Sequence, residues 1–144
     1  MNNNAEIITS NIEQIKRFLK RYRKNQELIS RLKNKLANYE DRLIGLNSPT
    51  LSDLPKGSTP IPKEDILSEK IETEERIERL KKRGSQIRAE ILEKIDELDN
   101  VTQAEVLEAF CIDCKSFEDI ADDMGYSVRR VIAIYSEAIR NIVL

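Results

Sequence analysis

The chain of 144 residues contains no histidine. That absence removes the commonest general base, the usual catalytic triads and most zinc sites together. The four glycines stand isolated at 45, 57, 84 and 125, so no Gly-rich loop is available to cradle a phosphate. Aromatic residues are only 5% of the chain, and no run alternates with period two between turns, which argues against a sheet. No apolar run approaches the roughly 20 residues that span a bilayer. The opening "MNNNAEIITSN" has neither the basic region nor the apolar core of a secretory signal, so a reducing compartment without structural disulfides is expected. Only two cysteines occur, Cys111 and Cys114 in "CIDC". A lone CxxC without a histidine or a second pair is a poor metal signal, and Cys111 is most simply a small core residue. The 26 acidic residues read as solvated helix faces rather than catalytic pairs. No enzyme activity, cofactor or metal is expected.

Charged residues, by contrast, make up 35% of the chain, alongside many Leu and Ile. That composition points to an all-α protein built on long helices. From about Ala5 to Gly45, apolar residues recur at Ile8, Ile12, Ile15, Leu19, Tyr22, Ile29, Leu32, Leu36, Tyr39, Leu43 and Leu46. The spacing is mostly three and four, the heptad signature, with a slip expected near Ile29–Leu32. Residues 1–46 are therefore assigned to one long amphipathic helix. Residues 47–63, "NSPTLSDLPKGSTPIPK", hold all four prolines and read as a linker. A second long helix, residues 64–99, carries Ile66, Leu67, Ile71, Ile77, Leu80, Ile87, Ile91, Ile95 and Leu98. Two such helices joined by a loop should fold back as a long antiparallel, coiled-coil-like hairpin. Their stripes need cover from a second copy, a partner or the C-terminal segment, so a homo-oligomer is expected.

The net charge of −2 conceals an asymmetry. Residues 1–46 carry ten basic and five acidic groups, whereas residues 101–144 carry four and eight. The basic charge is densest in "KRFLKRYRK": Lys16, Arg17, Lys20, Arg21, Arg23 and Lys24. At about 100° per residue these cations are expected opposite Ile15, Phe18, Leu19 and Tyr22. Such a face suits the solvated back of a coiled coil, a phosphate-contacting surface or, third, a membrane-surface helix.

Residues 101–144 read as three short helices. Thr102 is expected to cap the first, from Gln103 to about Ile112, with Glu105 completing a capping box. Ser116 caps the second, Phe117 to Met124; Gly125 supplies the positive φ of a tight turn; Ser127 caps the third. Counting Phe117 as one, the apolar Ile120, Val131 and Ile134 fall at four, fifteen and eighteen, with small Ala121 at five and Gly125 at nine. A helix-turn-helix needs a small fifth residue where its helices cross and apolar residues at the other three apolar positions.

"VLEAFCIDCKSFEDIADDMGYSVRRVIAIYSEAI", Val106 to Ile139, resembles region 4 of sigma-70-type factors and related small phage regulators. With "LSDLPKG" in the linker, the layout is similar to phage regulators of the ArpU type, associated with late-gene transcription. Cys111 and Cys114 stand where that pattern tends to have an aromatic residue and a glycine. The resemblance implies that Val128, Arg129, Arg130, Ile132 and Ala133 face DNA, although only the two arginines are polar here. It implies a double-stranded promoter as partner, RNA polymerase or another phage or host regulator as a second, and the cytoplasm of a bacterial host. The expected DNA-binding residues are Ser127, Arg129, Arg130, Ala133, Lys115 and Arg140. Lys16, Arg17, Lys20, Arg21, Arg23 and Lys24 are the expected phosphate contacts. A second reading keeps the same fold as a protein-interaction module that reads no DNA, motivated by the acidic C-terminal segment.

Overall fold

A computed structural model describes residues 2–46 and 62–144. Among these residues the chain is all-helical: α1 (Asn2–Leu46), α2 (Lys63–Asp96), α3 (Val101–Cys111), α4 (Phe117–Met124) and α5 (Val128–Asn141). The expected linker lies outside the described residues except for Pro62 and Lys63, and Lys63 already opens α2. No helix among the described residues is long and apolar enough to cross a membrane.

The chain separates into two compact units that cut across the segments assigned from the sequence. One contains the chain up to Asn25 together with Gly84–Leu144; the other is Gln26–Arg83. The residues 101–144 thus share a unit, and one hydrophobic core, with part of each long helix. That core includes Ile15 and Leu19 of α1, Ile87, Ile91 and Ile95 of α2, and Val106, Leu107, Ile120, Val131, Ala138 and Ile139 of α3–α5. The second unit has a smaller core of Ile29, Leu32 and Ile77, with Leu36 and Leu80 packed against it. In the first unit α1 and α2 run antiparallel, as residue pairing shows: Arg21 meets Glu90 and Asn25 meets Gly84; in the second, Glu40 pairs with Lys70.

The heptad slip expected near Ile29–Leu32 lies a few residues earlier, at Tyr22–Asn25. Asn25, buried, follows Tyr22 by three residues just as Tyr22 follows Leu19, and the 3–4 alternation resumes from Asn25 through Ile29, Leu32 and Leu36. Its neighbour explains the choice of residue. A Cβ added to Gly84 would come within 2.4 Å of Asn25 Oδ1, so the glycine permits a close approach of the helices. Gly84→Ala should forfeit the roughly 1 kcal/mol that alanine normally brings to a helix interior. Combining it with Asn25→Ala should recover that gain. Urea titrations of the four proteins are expected to give a coupling of about 0.5–3 kcal/mol, and strict additivity would refute the contact.

Other stripe positions also differ. Ile8, Leu67 and Ile71 are exposed at 59%, 38% and 54%, while Thr73 is buried and donates from Oγ1 to its own helix at Glu69 O, 2.8 Å away. A hydroxyl satisfied by its own i−4 carbonyl costs little on an inward face, which is why polarity misleads here.

Asn100, not Thr102, caps α3: its side chain accepts from Gln103 N at 3.0 Å, so the helix begins two residues earlier than Gln103. Ser116 and Ser127 cap α4 and α5 by accepting from Asp119 N and Arg130 N. Gly125 adopts φ 70, and Cys114 is the one non-glycine residue with positive φ, 56, among the described residues. That backbone region ordinarily favours glycine, so Cys114 holds the turn after α3 against some strain.

Candidate nucleic-acid interface

The α4–Gly125–α5 arrangement is held from inside. Ala121, at 3% exposure, sits where the helices cross, beside buried Ile120 and Val131, and Ile134 is half-buried. A larger residue at 121 would push α5 off α4, because packed cores do not absorb added methylenes. Phe110, Phe117 and Tyr135, one from each short helix, form a ring cluster: the phenyl rings stack at 4.5 Å and Tyr135 meets them edge-on at 5.0 and 5.2 Å. At the far end, Asn141 Nδ2 donates to buried Gln103 Oε1 at 2.9 Å, tying the end of α5 to the start of α3.

With one face of α5 so occupied by Val131, Tyr135, Ala138 and Ile139, the opposite face is left to solvent. Arg129, Ala133 and Arg140 follow one another there at four and seven residues, which places them on a single line down the helix. All three are exposed, and the two arginines have no ion pair among the described residues. Arg130 flanks this line at the helix start, its guanidinium 4.1 Å above the Tyr126 ring. That stacking holds the fork outward while leaving its N–H edges available. Val128 and Ile132 flank the line on the other side, exposed and apolar. The Ser127 hydroxyl is used as the cap of α5, so its role in the site is to orient the first turn.

Lys115 is not part of this face. Its Nζ pairs with Asp123 Oδ2 at 2.7 Å, and the hydrogen bond and charge of Asp123 raise its pKa. Cys111 is buried; desolvation pushes its thiol up to about 12, opposed by the nearby charges of Arg23 and Lys20. A protonated, enclosed thiol is an inert packing group.

The basic cluster of α1 does not form one solvated back. Arg21 turns toward α2 and bonds Glu90 Oε2 through Nη2 at 2.7 Å. Arg23 turns the other way. Its guanidinium lies 4.5 Å over Phe110 and Nη1 donates to Phe110 O at 3.0 Å and Lys115 O at 3.3 Å. One of these acceptors is a terminal carbonyl of α3, which no partner within the helix can satisfy. The two arginines are therefore structural ties at the edges of the core stripe; Arg17, Lys20 and Lys24 are exposed, and Lys16 is half-buried. The sequence reading missed both ties, because nothing local to either arginine marks a partner that lies 69 or 87 residues away.

No curated protein and no solved structure matches the chain. The family described as a protein of unknown function (DUF1492) matches residues 45–142, more than half of the chain, and the chain belongs to that family.

Proposed function

We propose that the protein is a transcription regulator of the phage late-gene type that reads double-stranded promoter DNA with α5. The observation that carries this reading is the exposed line Arg129–Ala133–Arg140 on a helix whose opposite face is locked into the core. Arg129 and Arg130 lie in the first turn of α5, the part of a recognition helix that meets base edges in the major groove. Arginine donates bidentately to guanine, and the methyl-sized surfaces of Ala133 and Ile132 suit thymine methyl groups. Two bidentate contacts leave much of a site unread by one copy, so paired half-sites or recruitment by RNA polymerase would supply the remainder.

In an electrophoretic binding assay on promoter fragments, Arg129→Ala and Arg130→Ala are each expected to cost about 1–3 kcal/mol of specific binding, with little change on unrelated DNA. Binding by the double variant equal to that of the unaltered chain would sink the assignment.

The alternative, a protein-interaction module that reads no DNA, draws on the exposed acids Glu118, Asp119 and Asp122 along α4. It predicts a retained protein partner with no affinity for any duplex at low salt.

A further inference from the structure

We propose that Lys16, Lys20 and Lys24 form a phosphate-binding ridge on α1 beside the α3–α4 turn, and that Arg23 is the residue that positions it. The inference rests on the reading of α5 as the DNA-reading helix and addresses an electrostatic problem that reading leaves. In a helix-turn-helix the first helix crosses the phosphate backbone. Here that helix, α4, opens with Glu118 and Asp119 and continues with Asp122 and Asp123. The lysine just ahead of it, Lys115, is already neutralised by Asp123. Left alone, this element repels the polyanion that α5 is to read.

The Arg23 guanidinium changes what lies next to it. By bonding the carbonyl of Lys115, one residue before the Ser116 cap, it fixes α1 directly alongside the start of α4. Its stack on Phe110 and its bond to Phe110 O anchor the same stretch of α1 to the end of α3. Lys16, Lys20 and Lys24 recur at four-residue spacing, hence on one ridge, about 6 Å apart and about 12 Å from end to end. That length passes about three phosphates of one DNA strand. None of the three has an ion pair among the described residues, so each charge is available to an external anion. Lys20 lies near enough to Cys111, the last residue of α3, for its charge to act on that thiol, which places the ridge on the side of the α3–α4 turn. Arg21, held by Glu90, contributes nothing to it.

The test is the salt dependence of binding by the full chain to a labelled mixed-sequence duplex, between about 50 and 200 mM salt. Each neutralised phosphate contributes about 0.9 to the slope of log K against log salt, so Lys16→Ala, Lys20→Ala and Lys24→Ala together should lower its magnitude by about 2.7 with helicity unchanged. Arg23→Lys keeps the charge but cannot span two carbonyls and a ring, so it should lower the slope as well. An unaltered slope in the triple lysine variant overturns the ridge and leaves the α5 reading standing. A slope in Arg23→Lys equal to that of the original chain overturns the positioning role. Failure of the unaltered protein to bind any duplex at low salt overturns the α5 reading, and the ridge with it.

Discussion

Leu19→Ala is expected to destabilise the unit built from the two chain ends by about 2–5 kcal/mol, as removal of a fully buried leucine from a core does. Leu19 has no exposed surface and belongs to the same cluster as Ile91, Leu107 and Ile139. Truncation removes apolar contact from helices of two different parts of the chain, and the helical backbone of α1 cannot collapse into the void without breaking its own ladder. The cost should therefore lie toward the upper end of that range. Ile8, on the same helix but 59% exposed, is the matched control: Ile8→Ala should stay within about 0.5 kcal/mol. Urea unfolding followed by circular dichroism measures both, with a lower midpoint and an unchanged slope expected for Leu19→Ala. Equal behaviour of the two variants would mean that α1 does not belong to the core.

Residues 101–144 produced alone are expected to show no cooperative melt. Read from the sequence, this segment is a domain of three short helices; in the structure it is only part of a shared core. Removing α1 and α2 would strip Ile15, Leu19, Ile87, Ile91 and Ile95 from the cluster that buries Val106 and Leu107. It would also leave Phe110 O at the end of α3 without the Arg23 donor. A segment of this size is already close to the length below which chains need outside help to fold. Thermal scans by circular dichroism decide the matter: a gradual loss of signal is expected, and a sigmoidal transition near that of the full chain would show that the long helices are dispensable. The same result bears on function, since an isolated segment that folds could present α5 without the lysines of α1.

How far each feature was legible depends on how far apart its partners lie along the chain. Ser116, Gly125 and Ser127 were readable because a cap or a positive-φ turn is settled within three or four residues. The α3 cap was misplaced by two residues because Asn100 and Thr102 are both good caps and only the backbone around them decides between them. Leu67 and Ile71 read as stripe positions yet face out, while Thr73 and Gly84, which the apolar pattern passes over, are buried. Apolar character alone does not fix the phase of a stripe when a polar or small residue allows helices to approach more closely.

By itself, then, the sequence determined the all-helical class, the order of the helices, the caps of α4 and α5 and the small residue at their crossing, since these follow from periodicity and from interactions within a turn or two. Only the tertiary structure decided that the chain ends share a core, that Asn25 meets Gly84, and that Arg21 and Arg23 are ties while Lys20 and Lys24 look outward. Those outcomes depend on contacts between residues many tens of positions apart, and a residue's own neighbours along the chain carry no record of which distant backbone carbonyl or ring will be brought beside it.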